Sequence, residues 1–507
     1  MKRKKPLSTG AEWTFELIQA YDREIARLAH DFKLDTYPNQ IEIISAEQMI
    51  DSYASVGMPI GYHHWSFGKH FVGVEKSYQR GEMGLAYELV INSNPCIAYL
   101  MEENTMAMQA LVIAHASYGH NSFFKNNYLF KMWTSADAII DYLVFARNYV
   151  SECEELHGID AVETILDACH ALMNYGVDRY KHPAELSIQE EKIRQQNREV
   201  YLQSQVNELW RTIPSQKTHD TTHKNTPFPE EPQENLLYFI EKNAPLLQPW
   251  QRELVRIVRK IAQYFYPQGQ TKVMNEGWAC FWHYTLLHAL YDEGLVTDEF
   301  MLEILANHTS VILQPAYNSP YYNGINPYAL GYGMMQDIKR ICESPTEEDK
   351  RWFPLLANTN WLTSLDTAMR NYKDESFIAQ YLSPHLMREL KLFHLIDDDQ
   401  KSEISIHAIH NEHGYPHVRE ALSKQYNLGN LEPDIQVFSV DVEGDRSLTL
   451  HYMQHNRVPL GPSTHQVLKH IHALWKFPVI VNAVDSKGEV TAQYHCPTKT
   501  EPVKIPS

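Results

Sequence analysis

The chain has 507 residues, 44% hydrophobic and 21% charged, enough apolar material for two or three domains around sizeable cores. Its 45 Lys and Arg against 63 Asp and Glu leave a formal net charge of −18, which excludes broad, non-specific attraction to nucleic acid or anionic lipid. Six cysteines without a Cys-x-x-Cys pair signal neither a disulfide framework nor a thiolate zinc site, and no apolar run is long enough for a membrane span, so free thiols in the cytoplasm are expected.

Residues 11–33 place Trp13, Leu17, Tyr21, Ile25 and Leu28 on one helical stripe. Glycines and aromatics dominate 57–73, which reads as irregular backbone. The segment 87–102 predicts a strand, a turn at Asn92–Pro95 and a second strand, and Thr105 is placed to cap a helix running to about Gly119. Helical patterns follow over 135–180 and 187–211, and a polar, Pro-containing stretch over 213–235 predicts an exposed linker. Helices are expected again at about 248–265, 276–292 and 297–312, before an aromatic loop rich in Pro, Asn and Gly. After about 385 five alternating segments and two helical ones follow the order β-α-β-β-α-β-β, predicting a small α+β sandwich. The expected fold is therefore α+β, mostly α. A helical half with a strand pair (1–212), a linker (213–235) and a second helical half (236–384) precede the C-terminal domain (385–507).

His115 and His120 end the apolar helix. Five residues apart, they differ by about 140° on an ideal α-helix, so they converge on one metal only where the helix unwinds, and Gly119 sits where that would occur. The alternative is two histidines at a helix end, one on carbonyls and one on the surface. Asn275-Glu276-Gly277-Trp278-Ala279 opens a later helix that continues through His283 on the Glu276 face. An unpaired carboxylate on an aromatic face is costly, so Glu276 is either an N-terminal acid in solvent or a metal ligand. Glu154 with His157, and Asp167 with His170 near Glu163, superficially resemble di-iron carboxylate bundles, although such pairs are common on solvated helix faces. His63, His64, Tyr321, Tyr322 and Tyr328 could contact substrate or fill a polar-aromatic core. His451, His455, His465, His470 and His472 have no spacing that fixes them as ligands.

The His115/His120 helix and the Glu-Gly-Trp-Ala motif together resemble the gluzincin peptidase plan, which implies zinc held by His115, His120 and Glu276 with an open position. Where that plan has a general-base Glu after the first His, this chain has Ala116, so Glu102, Glu103 and His283 are the alternative bases considered. At full length, GMPIGYHHWSFGKHF, INSNPCIAYLMEEN, HASYGHNSFFKNN, GVDRYKH, MNEGWACFWHYTLL and NGINPYALGYGMMQDIKR resemble the stage V sporulation protein R (SpoVR) family, in its variant from Gram-negative, non-sporulating bacteria. The resemblance implies a cytoplasmic protein linked to spore cortex formation or stress response, with a serine protein kinase and a von Willebrand factor A-like protein as partners. Two functions are expected from different classes: a metal-dependent hydrolase on a peptide-like or cell-wall-related substrate, or a non-catalytic regulatory scaffold in the kinase pathway.

Overall fold

The computed structural model describes residues 5–54, 61–65, 88–180, 228–229, 231–396, 405–427, 432–454 and 459–497. The predicted helix over 187–211 and most of 57–73 and 213–235 lie outside them. Two compact units are formed, one by Met1–His170 with Gln248–Asp434 and one by Ala171–Leu247 with Ile435–Ser507.

The first unit is mostly helical. Thr14 caps α1 (Phe15–Asp31), which turns Ile18, Tyr21, Ile25 and Leu28 into the core while Trp13 and Leu17 pack at its margin. The predicted strand pair is β2 (Glu88–Ile91) and β3 (Cys96–Met101), antiparallel with Leu89 opposite Tyr99. A strand not picked out in the sequence, β1 (Asn39–Ile44), lies parallel to β3 and makes the order β1-β3-β2. Its polar Asn39, Gln40 and Glu42 dilute the apolar signal.

Thr105 caps α2 (Met106–Val112) as expected, its Oγ1 accepting from the Met108 N–H. The helix does not end at Gly119. It widens into a π-helical segment, Ile113–His120, and continues as α3 (Asn121–Asn126). Gly119 is needed for close approach instead: a Cβ there would lie 2.6 Å from the Cα of Ala279.

That neighbour belongs to α4 (Lys272–Asp292), whose buried Val273, Met274, Trp278, Phe281, Trp282, Leu286 and Leu290 make it a central helix. It starts before the predicted 276 because the Asp374 carboxylate, from a distant part of the chain, accepts from the N–H groups of Val273 and Met274 at 2.8 Å each. Glu276 therefore sits in the second turn, away from the solvated helix end. Two helices flank α4: α5 (Asp298–Val311) and α6 (Pro327–Glu343). Asn326 caps α6 and Pro327 holds its first position, so the predicted aromatic loop closes there and Tyr328 is helical. The crossing of α4 and α6 is Gly on Gly, since a Cβ on Gly277 would lie 2.3 Å from the Gly331 carbonyl carbon.

The C-terminal sandwich expected over 385–507 is not one body. Two short strands, β4 (His394–Ile396) and β5 (Ser405–Ala408), pair only with each other. The helix Gly414–Gln425 buries Tyr415, Val418 and Leu422 in the core of the first unit. In the second unit a single sheet, β6 (Asp434–Val440), β7 (Leu448–Met453), β8 (Val479–Val484) and β9 (Val490–Cys496), has that spatial order. Strands β7 and β8 are parallel, linked through α7 (Thr464–Trp475), and β8 and β9 are antiparallel. The described end of the expected linker is pinned along β6 by Phe228 opposite Val440 and Gln233 opposite Val437. The next helix, Leu236–Asn243, also belongs to this unit and stacks Phe239 on Trp475. The units thus depart from the boundaries read at 212, 235 and 384.

Candidate metal centre

The α-helical obstacle to a His115/His120 pair disappears in the π-helical segment. With i→i+5 winding, residues five apart lie roughly one turn apart on one face. Their rings meet edge to face with centroids 4.7 Å apart, and both residues are buried. Across from them, α4 presents Glu276. Its motif is explained residue by residue: Gly277 admits Gly331, Ala279 admits Gly119, and Trp278 anchors the helix by donating from Nε1 to Ser122 Oγ at 2.9 Å.

Two carboxylates close on the two imidazoles. Glu276 Oε2 lies 3.8 Å from His115 Nε2 and 3.6 Å from His120 Nε2, and Glu88 Oε1 lies 3.1 Å and 3.7 Å from the same atoms. Donors bound at about 2.1 Å to one tetrahedral ion stand about 3.4 Å apart, so this spacing fits a single small divalent cation. His115 Nε2 and Glu276 Oε2 are buried yet make no well-aligned hydrogen bond, as expected of lone pairs aimed at a cation. The N/O donor set suits Zn²⁺.

Neighbouring groups orient both rings. His120 Nδ1–H donates to Asn275 Oδ1 at 2.9 Å, which leaves Nε2 to face the carboxylates. His115 Nδ1 lies 2.8 Å from His283 Nδ1, and His283 Nε2 lies 2.7 Å from His308 Nδ1. A Cys280–His115–His283 grouping of metal-ligand type is also present, but 2.8 Å between two ring nitrogens is hydrogen-bond spacing, shorter than two ligands on one ion require.

Burial works to raise the Glu88 carboxyl, yet His115 and His120 hold it down to about 2. Burial likewise works to lower His115, but Glu88 facing its Nε2 draws it well above the ordinary imidazole value. His283 is pushed well below its ordinary value, first by burial and then by the neighbouring imidazoles, and His308 is lowered to about 4 for the same reasons. At the first turn of α6, Tyr328 has its hydroxyl pKa raised by burial and by Glu276 and Glu88, so it remains an O–H donor beside them.

The structure brings together His115, His120, Glu276 and Tyr328, with His283 directly behind His115. Other candidates lie elsewhere. His64 is buried beside Asp167 and His170, Tyr62 hydrogen-bonds His170, and Trp65 donates to Asp167 at 2.7 Å, whereas His63 is exposed. His157 stacks on Trp250 instead of joining these groups, so the described residues form no di-iron-like cluster there. Tyr321 is exposed and Tyr322 packs on Tyr317. Glu102 and Glu103 are exposed just after β3, and the Glu103 carboxylate accepts from the Ala46 N–H at 3.2 Å. His472 donates from Nδ1 to the Phe477 carbonyl and His451 stacks on Phe438, both structural contacts.

Sequence reasoning missed Glu88 and His308. The alternation in ELVI could have flagged Glu88, which shares a strand face with Val90 while Leu89 and Ile91 are buried on the other. Nothing local marks His308.

A family model described as SpoVR like protein matches residues 12–431, and one described as SpoVR-like C-terminal domain matches residues 433–486. Their junction falls close to the start of β6, where the second unit resumes. The uncharacterized protein YcgB of Escherichia coli (strain K12) is 62% identical over 493 residues, covering 97% of each chain. No solved structure matches.

Proposed function

The chain belongs to the SpoVR family, and we propose that this member is a metal-dependent hydrolase that cleaves an amide in a peptide-like or cell-wall-related substrate. The observation that carries the reading is that Glu276 Oε2 lies 3.8 Å from His115 Nε2 and 3.6 Å from His120 Nε2, with no well-aligned hydrogen bond to His115 Nε2 or Glu276 Oε2. These three residues would hold the ion, Zn²⁺ by donor type, as in the gluzincin plan. A divalent ion there supplies Lewis acidity toward a carbonyl and toward water. Glu88 stands where the base missing at Ala116 would be: its carboxylate, ionised at neutral pH, faces the same point from β2 and would orient a water by accepting its hydrogen bond. The Tyr328 hydroxyl donates a hydrogen bond to the oxygen on which negative charge develops. No described helix is long and apolar enough to cross a membrane. The six buried free cysteines suit action in the cytoplasm, in the spore-cortex or stress-response setting of the family.

A second reading is favoured by Ala116 together with Glu88 at a fourth corner. Four protein donors would close the shell and make the metal structural, in a scaffold for the serine protein kinase and von Willebrand factor A-like partners. Metal content and amide hydrolysis of cell-wall peptides, measured on the same preparations, separate the two. The hydrolase reading expects stoichiometric metal in the wild type and Glu88→Gln, none in His115→Ala or Glu276→Ala, and hydrolysis by the wild type alone. Metal loss in Glu88→Gln, or bound metal without hydrolysis, supports the scaffold, and folded wild type without metal overturns both.

A further inference from the structure

We propose that His283 and His308 form a directed imidazole chain that fixes the ring proton of His115 on Nδ1 and so presents its Nε2 to the metal. This rests on the metal-centre reading and assigns two positioning residues to it. Neither ring bonds the ion. Both are buried, His283 on α4 and His308 on α5, so the chain runs from the π-helical segment through two further helices.

The direction follows from counting protons. A neutral imidazole carries one N–H and one lone pair. If the lone pair of His115 Nε2 is given to a cation, its proton is on Nδ1 and donates to His283 Nδ1 across 2.8 Å. The proton of His283 is then on Nε2 and donates to His308 Nδ1 across 2.7 Å. The proton of His308 ends on Nε2, a buried atom without a hydrogen bond. Reversing every bond instead places a proton on His115 Nε2, between Glu88 and Glu276, where it blocks the metal. One metal–ligand bond thus selects one of two tautomer orders along the chain. His120 needs no such device, because the Asn275 carbonyl oxygen can only accept.

The arrangement makes His283→Gln informative. A glutamine can accept from His115 with its oxygen and donate to His308 with its amide, whereas alanine does neither. The experiment is Zn²⁺ affinity by chelator competition and the visible spectrum of the Co²⁺-loaded full chain, for wild type, His283→Ala, His283→Gln and His308→Ala, each first checked for native circular dichroism. The expected result is a roughly 10- to 100-fold loss of affinity in His283→Ala with an altered Co²⁺ spectrum, recovery to within several-fold of wild type in His283→Gln, and a smaller loss in His308→Ala. Wild-type affinity in both alanine variants, or equal losses in His283→Gln and His283→Ala, overturns the chain while leaving the metal centre standing. Absence of metal binding by the wild type fells the metal centre and the chain with it. Should His283→Ala fail to fold, His308→Ala against His283→Gln still decides, since a chain requires the His308→Ala loss to appear at His115's metal.

Discussion

Two places in the first unit gather a pair of carboxylates, and they are neutralised in opposite ways. Asp337 and Asp349 share Arg340: its Nε donates to Asp337 at 2.8 Å and its Nη1 and Nη2 grip Asp349 at 2.7 and 2.9 Å. Thr346 adds its N–H and its hydroxyl to Asp349. Glu276 and Glu88 instead face two imidazoles, and Glu276 pairs with no lysine or arginine among the described residues. The first cluster carries its cation in the chain and is finished by folding. The second has donors of one kind pointed at a common centre, which is the form a site takes when its cation comes from solution.

Removing the built-in cation should give the largest effect on stability. Arg340→Met leaves Asp337 and Asp349 facing each other without a counter-charge, which costs about 3–5 kcal/mol for a buried pair. The lower end is expected because the Arg340 side chain keeps 28% exposure. Urea unfolding at neutral pH measures it, and a loss below about 1 kcal/mol would place this cluster among surface ion pairs of little consequence.

The metal centre should show its contribution only when metal is added. Zn²⁺ at 100 times its dissociation constant should raise the unfolding free energy of the wild type by about 2.7 kcal/mol. Glu276→Gln and His120→Ala should abolish that increment, whereas Asp349→Asn should keep it despite a lower baseline. An increment that survives Glu276→Gln would mean the ion binds elsewhere, and the contrast between the two clusters would fail.

The two clusters were also legible to different degrees, for one physical reason. Asp337 and Arg340 are three apart on α6, and Thr346-x-x-Asp349 is a capping box, so nearest-neighbour rules produce most of that cluster. The metal centre joins residues 88, 115, 120 and 276, and only the motif-bearing three could be foreseen. Glu88 sits on the predicted strand pair, but the alternation that puts it on the face opposite Leu89 and Ile91 does not say that this face meets His115 and His120. The π-helical segment that unites His115 with His120 packs Gly119 closely against Ala279, 160 residues later in the chain. The C-terminal misreading has the same origin. Alternation picked out five of the described strands after 385 and missed β4, and the Tyr415, Val418 and Leu422 stripe does not say which core it fills; it fills the helical one.

The smallest effect concerns acid. Burial alone would raise the Asp349 carboxyl, but the Arg340 guanidinium and Thr346 hold it down to about 2. Its unfolded value is about 3.9. A carboxyl depressed in the folded state contributes stability that is complete above its unfolded pKa and is lost as pH falls through its folded one, here between about pH 4 and pH 2. The gap corresponds to about 2.6 kcal/mol, an upper figure for this one group. In chelator-treated protein, so that the metal centre adds no increment of its own, wild-type stability should fall across that window more steeply than that of Asp349→Asn, which cannot titrate there. Identical slopes would show that Arg340 does not hold the Asp349 proton off. The acid sensitivity of the unit would then come from other carboxylates held down in the fold, Glu88 beside His115 and Glu348 beside Arg388 among them.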